Sequence, residues 1–478
     1  MDRPRPDSGT YRWDWHEAAR PPAVTAHDLA RRAVARAGNH ALALVTRERS
    51  LLMRFAANRP TQSTAIDDVT VELAVVRDGH VGRATTNAVD DDALGGCARR
   101  AAAAADAAAA AGDGYFPGFP DPPRPAPHAG HDPETARLEP EPGGAALEAA
   151  FEVASDAGLE AHGIWSAGEE ERAVATGGAA AVDRTTDAFM KVLCIAPVKP
   201  GGSGRSGYAA GTAVAARRID AGALAKRAAA KAASSARPTE LEPGEYPVVL
   251  EAHAVGWLCD LLAGTAFNGL AHAEGRGALS ERLGQKVAAP GINLSDSPRL
   301  PGTLPRVFDA EGVPKDPLTL IQDGVAHAVA HDLRSATLAG ARSTGHALAP
   351  GGHPYGPHPT NLVLAGGGAA NEEELCAGVE RGVYITRLWY ANVVRPKETL
   401  ITAVTRDGTF LIEDGRLTRP LRDLRLTDSV LGILSRTQAL SRTQQLTSDG
   451  EFYGRRFASG VVCPAIRAER VRFTGPSG

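Results

Sequence analysis

Cysteine is scarce in this 478-residue chain: Cys97, Cys194, Cys259, Cys376 and Cys463, none of them in a CxxC pair. So few, scattered and odd a set excludes a disulfide framework and leaves small buried hydrophobes as the expected role. No stretch approaches the roughly 18 apolar residues of a membrane span, and the opening Met1-Asp-Arg-Pro-Arg-Pro-Asp has no apolar signal core. The expectation is a soluble, cytoplasmic protein without a membrane partner. Neither sign of charge is in excess: 52 Lys and Arg against 56 Asp and Glu give a net charge of −4. That balance offers no overall footprint for nucleic acid. GxxxxGK[ST] and GxSxG are both absent, so phosphate-loop and α/β-hydrolase chemistry lack their primary signals.

What is present is enough chain for two or three domains and a large core. Residues 1–24 are polar and proline-bearing and read as an arm. Thr25 and Asp28 start a helix that stops at Gly38. Alternating segments at 41–46, 51–56 and 69–76, with an Asp78-Gly79 turn, predict antiparallel strands. Asp90–Asp92 cap an alanine-rich helix, and 112–144 reads as a linker with nine prolines between Pro117 and Pro142. A helix over 145–157, strands at 161–165, 172–176 and 188–196, and a helix from Asp220 to Ala236 complete an N-terminal α/β domain at 25–240. Arg237-Pro238 ends that helix. From 241 to 478 the pattern predicts a β-rich domain, antiparallel and partly barrel-like, with one later helix near 372–381. The fold class is α+β.

Three motifs carry candidate chemistry that the bland reading outweighs. Gly202-Ser-Gly204-Arg-Ser-Gly207 satisfies GxGxxG, but Pro197 and Pro200 interrupt the approach and Asp220 reads as a helix cap, so a turn is expected. His327 and His331 have the spacing of a helical zinc pair. Gly324 to His331, however, alternates like a strand, which would hold them roughly 13 Å apart at about 3.3 Å per residue. His346, His353 and His358 share a Gly/Pro-rich loop, 345–361, without a cysteine or carboxylate at fixed spacing, and read as loop residues beside a cleft.

The stretch that organises the rest runs from Pro243 to Asn268. A short apolar strand, Tyr246–Leu250, passes directly into a helix that buries Val255, Leu258, Leu261 and Leu262. This segment resembles the TldD/TldE (PmbA) family, whose metal-bearing members carry HExxxH on this helix. Here the three motif positions hold Ala252, His253 and Trp257; a shift of one residue gives His253, Ala254 and Leu258. Neither register restores the motif. Further segments recur in family order: Phe308-Asp-Ala-Glu-Gly312, Ile321-Gln-Asp-Gly324, Ser343-Thr-Gly-His346, Gly382-Val-Tyr-Ile-Thr386 and Leu411-Ile-Glu-Asp-Gly415. Tyr384–Tyr390 with Thr405-Arg-Asp-Gly408 is similar to a TldE-like subgroup familiar from actinomycetes.

The resemblance implies a TldE-type subunit without metal of its own, assembled with a TldD-like zinc metallopeptidase as a heteromer of two or four subunits around a closed chamber. It implies zinc in the partner, no cofactor in this chain, and small or unfolded peptides as substrates, including modified peptide antibiotics whose leaders family members trim. His253, Trp257, His346 and Cys463 are the implied chamber-lining candidates, Cys463 as the remnant of a family cysteine that completes the zinc site elsewhere. Two alternatives stay open: a stand-alone hydrolase using His253 or His346 as base, and a binding protein without a peptidase partner.

Overall fold

The computed structural model describes residues 25–112, 115–197, 205–448, 450 and 455–476. The arm expected over 1–24 and the first three residues of the GxGxxG stretch lie outside them. Helix α1 (Ala26–Ala37) starts where Thr25 Oγ1 accepts from the Asp28 amide at 3.1 Å, and stops at Gly38, whose φ of 90° ends it. β1 (Ala41–Ala56) is one strand where two were expected. Its charged middle continues the ladder because Arg47 pairs with Asp67 of β2 (Arg59–Arg77), and Arg49 pairs with Glu169 of a strand further on. Asp78 and Gly79, at φ 49° and 75°, make the tight turn into β3 (His80–Thr86).

Asp90 caps α2 (Asp91–Ala111). Its alanines have a packing reason, since a Cβ at Gly82 of β3 would lie 2.0 Å from the Ala105 nitrogen. The proline-rich stretch holds only a short turn at Thr135–Arg137 and is tied down on its neighbours: Asp132 N donates to Thr186 Oγ1 at 2.9 Å, and His128 meets Asp183 at 2.7 Å. α3 (Glu141–Asp156) begins earlier than expected because Pro142 is tolerated in a first turn. β4 (Glu160–Ala175), β5 (Ala180–Ile195), β6 (Ser206–Ala213) and α4 (Ala221–Ser234) follow. Gly207 stands second in β6, where α4 leaves no room for a side chain: a Cβ would sit 2.1 Å from the Ala228 oxygen. The six strands form one antiparallel sheet in the order β3-β2-β1-β4-β5-β6.

The second half opens with β7 (Gly244–Leu250), α5 (Ala252–Thr265) and α6 (Gly269–Ala273). β8 (Leu294–Asp296), β9 (Leu318–Gln322), β10 (Val325–Ala326), α7 (Leu333–Ala339), β11 (Asn361–Leu364) and α8 (Glu372–Ala377) are short. Long strands then dominate: β12 (Arg381–Arg395), β13 (Leu400–Glu413), β14 (Arg416–Pro420), β15 (Leu424–Ser429), α9 (Val430–Ser435), β16 (Thr437–Thr447) and β17 (Gly460–Pro476). β7 pairs in parallel with β12 and antiparallel with β17, which closes the path β7-β12-β13-β15-β17 into a ring. The partly barrel-like sheet expected from the sequence is this ring. Val255, Leu258 and Leu262 of α5 share its core with Leu250, Ile385 and Ile466.

The strand expected over 324–331 is a correction. Only Val325 and Ala326 form β10, and Ala330 makes a lone bridge to Asn268. The chain turns away because Asp332 caps α7 with the capping box that Ser335 completes, drawing His331 to Ser335 at 3.2 Å while His327 stays exposed. The two halves meet across the other face of the six-stranded sheet, where Leu42, Leu44 and Val174 pack on Val307, Phe308 and Ala310. Buried pairs Arg306–Glu170 (2.8 Å) and Arg456–Asp187 (2.6 Å) lock that contact.

Candidate functional site

The β7–α5 junction places one carboxylate at a helix start. Glu251 occupies the N-cap position of α5, yet its side chain makes no cap bond. It turns instead into the interface with α4, where Oε1 accepts from Tyr384 Oη (2.7 Å) and Thr386 Oγ1 (2.9 Å) and meets Lys231 Nζ at 2.6 Å. Arg227 approaches Oε2 at 3.3 Å. Burial opposes ionisation of Glu251, but the Lys231 ammonium and these donors outweigh it and hold the carboxyl below its ordinary value. This knot fixes the first turn of α5 against the N-terminal half.

His253 follows one residue into that turn and is buried. Its Nε2 lies 3.1 Å from the Ala210 carbonyl of β6, which accepts, and 3.3 Å from the Gln445 side-chain nitrogen, which donates to that same carbonyl at 3.0 Å. Burial drives its pKa down to about 4, so the ring is neutral at neutral pH. Tyr208 stands edge-on to it at 5.4 Å. One turn along α5, Gly256 forms a floor, since a Cβ there would lie 2.1 Å from Thr447 Oγ1 and 3.7 Å from Cys463 Sγ. Cys463 is fully buried beneath it and donates to the Ala252 carbonyl at 3.2 Å. Burial pushes its thiol up to about 12, so it is no thiolate nucleophile at neutral pH.

A half-enclosed cavity of about 270 Å³ opens above this floor, lined by Tyr208, His253, Trp257, Asp260, Arg387 and Trp389 among others. Arg387 is clamped. Its Nε donates to Asp407 Oδ2 at 2.8 Å, Nη2 reaches the same oxygen, and the guanidinium lies 4.5 Å from the Tyr208 ring and 4.8 Å from Trp389. A cleft with one fixed cation, one neutral imidazole and several aromatic faces can hold and align an extended, amphipathic ligand.

His253 and Trp257 line this cleft together, and Cys463 lies just below it. His346 does not join them. It is sealed among buried groups, Nε2 lying 3.3 Å from Asp296 Oδ1 and Nδ1 2.9 Å from Thr344 Oγ1, with Lys315 Nζ 3.4 Å from the same Asp296 oxygen. Of the other loop histidines, His358 reaches the cleft edge through Asp260 at 3.3 Å, while His353 packs beside Tyr355. Sequence reasoning missed Tyr208, Lys231, Arg387 and Asp407. Arg387 lay inside a segment quoted for its family likeness and Asp407 in another; Tyr208 and Lys231 carried no local signal.

Among the described residues no three His, Cys, Asp or Glu side chains come together as a metal-binding group. Of the three family-motif positions on α5, Ala252 and Trp257 carry no zinc-donor atom, so the residues present there do not make up the nitrogen, sulfur and oxygen set that zinc takes.

Two family models match the chain: the PmbA/TldA metallopeptidase C-terminal domain over residues 243–475, and domain 1 of the same metallopeptidases over 41–105. The chain belongs to the PmbA/TldD metallopeptidase family. Curated relatives include a metalloprotease of Methanothermobacter thermautotrophicus, 25% identical over 45% of this chain and 47% of that protein. A Haemophilus influenzae metalloprotease, a TldD homologue, is 24% identical over 53% of each. The chain thus spans about half the length of the curated relatives it matches. Two solved structures share the PmbA/TldD fold over 94% of this chain and 100% of theirs: TldE of Thermococcus kodakarensis (TM-score 0.81, 19% identity) and a Thermotoga maritima protein provisionally titled a DNA gyrase modulator (TM-score 0.80, 20% identity). At such identity the likeness is one of fold. The PmbA/TldD matches contain all of α5 and β12 and β17 as far as Gly475, but not Tyr208 or Lys231, so the cleft joins family-typed elements to a wall outside both matched segments. No described helix is long and apolar enough to cross a membrane.

Proposed function

We propose that this chain is a TldE-like subunit that holds no zinc and assembles with a TldD-like zinc metallopeptidase subunit into a closed chamber for cleaving small or unfolded peptides. The α5 cleft is then part of the chamber wall, with His253 and Trp257 facing substrate and Cys463 supporting the floor. The observation that carries this reading is the makeup of α5: Ala252 and Trp257 stand where the family motif has its two histidines, leaving His253 as the single imidazole among the three motif positions. Zinc, which activates water in such peptidases, belongs to the partner. This chain contributes alignment and exclusion of water, which ordered walls supply without a metal. His346, sealed beside Asp296, acts in this reading as a packing residue. A role in trimming a modified peptide on a natural-product pathway accompanies the proposal and rests on the family resemblance alone. For the stand-alone hydrolase alternative, His346 is sealed away from the cleft, and His253 is the histidine left to act as base.

The test is reconstitution with a TldD-like subunit carrying an intact HExxxH, read by cleavage of short peptides. Trp257→Ala should leave assembly intact and lower turnover of the mixture about tenfold by loosening substrate alignment. Equal turnover with and without Trp257 would remove the cleft from the chamber wall.

A further inference from the structure

His253, Gly256, Trp257 and Asp260 all line the α5 cleft, and their i, i+3, i+4, i+7 spacing is that of one helix face. Among the lining residues, His253, Asp260 and Arg387 are those whose charge could act on a ligand. Burial keeps His253 neutral. Arg387 is already matched: Asp407, itself buried, accepts from its Nε at 2.8 Å and pairs with Nη2. Asp260 is left. It is exposed, and His358 meets its Oδ1 at 3.3 Å while Oδ2 has no partner among the described residues.

The aromatic walls sort the same way. The Arg387 guanidinium lies over Tyr208 and Trp389, at 4.5 and 4.8 Å, and that of Arg306 lies over Phe457 at 4.2 Å. Trp257 is the lining ring with no cation and no second ring against it among the described residues. It stands three residues before Asp260, so an open indole and an under-paired carboxylate are neighbours on the face of α5 that borders the cavity. Such a pair attracts a cation, through the ring quadrupole and by charge pairing. An anion would meet the Asp260 charge and find the Arg387 fork engaged.

We propose that this cleft selects peptides by a positively charged group, a basic side chain or the N-terminal ammonium, held by the Trp257 ring and the Asp260 carboxylate. The inference deepens the chamber-wall reading and rests on it for the peptide nature of the ligand.

Intrinsic fluorescence of the full chain, to which Trp257 and Trp389 contribute, reads binding without a partner subunit. The probes are acetyl-Ala-Ala-Lys-Ala-Ala-amide, Ala-Ala-Ala-Ala-Ala-amide with its free N-terminus, and acetyl-Ala-Ala-Glu-Ala-Ala-amide. At low salt one or both cationic peptides should bind about fivefold tighter than the glutamate peptide, and which of them does so tells side chain from terminus. Asp260→Asn should remove most of that preference. Trp257→Leu, read through Trp389, should weaken the cationic peptides about threefold. Circular dichroism checks that both variants remain folded. Failure of both cationic peptides to bind, a glutamate peptide that binds equally or more tightly, or a preference unchanged in Asp260→Asn would each overturn the proposal. Because no zinc subunit takes part, a reconstituted mixture that cleaves nothing would sink the chamber reading while this preference stood, and cleavage without the preference would sink this inference alone.

Discussion

His253 and His346 are both buried, both lie near a carboxylate that is itself ion-paired to a lysine, and both are held neutral-leaning by burial. Their surroundings differ. His253 stands on the first turn of α5, where Gly256 and the aromatic walls leave a cavity of about 270 Å³. His346 follows Gly345, whose φ of 75° folds the loop onto Pro314 so closely that a Cβ would lie 2.3 Å from its oxygen. That loop closes over the ring. A buried histidine beside an acid is therefore no mark of a site by itself; the open volume next to it decides.

The comparison is broken most severely by removing the acid from each group. Glu251→Ala strands Lys231 in the interface between α4 and α5, and should cost about 3–5 kcal/mol in urea unfolding, with loss of the cleft. A cost below about 1 kcal/mol would mean the knot is not ionised. Asp296→Asn should cost somewhat less, about 2–4 kcal/mol, because asparagine keeps an oxygen that can accept from Lys315 and Asp309 remains near that ammonium. Unlike the first change, it should leave partner-dependent turnover per folded molecule unaltered. The Lys315 ammonium, with the Asn361 amide also donating to Asp296, outweighs burial and holds the Asp296 carboxyl far below its ordinary range. Its stabilisation is thus full above the unfolded value of about 3.9 and is lost as pH falls below it.

His253→Gln sharpens the comparison with the smallest effect. The folded chain resists protonating His253 until about pH 4, whereas an unfolded histidine titrates near 6.5. Its neutral ring is compatible with the fold above pH 6.5, and stability falls as pH drops from 6.5 towards 4. Relative to the glutamine variant, the native chain should lose about 1–2 kcal/mol across that window, the open cavity letting water moderate the full shift. Parallel urea curves at pH 4.5 and 7 for both proteins check this. An identical pH slope would show that the ring is not held neutral.

Much of the local framework was legible in the sequence. Thr25, Asp90 and Asp220 cap the helices they were expected to start, and Asp78-Gly79 makes its turn. These signals act within a few residues, so no tertiary context was needed. Strand lengths were not legible: β1 and β4 run through charged residues that break an apolar pattern but find cross-strand partners such as Asp67 and Arg184. The strand expected over 324–331 failed for the opposite reason, because a helix cap at Asp332 overrode an alternating pattern. At the site, α5 and its histidine were readable from a strand passing into a helix. The wall that Tyr208 and Arg387 build was not, since those residues meet only when β6 and β12 fold together.

The central claim, that this chain shapes a peptidase chamber while its partner holds the metal, is tested most directly by zinc content and peptidase turnover measured together. The account predicts a chain that is zinc-free and inert alone, and that yields cleavage with zinc confined to the partner once a TldD-like subunit is added. Stoichiometric zinc in the isolated chain, or turnover without a partner, would contradict it.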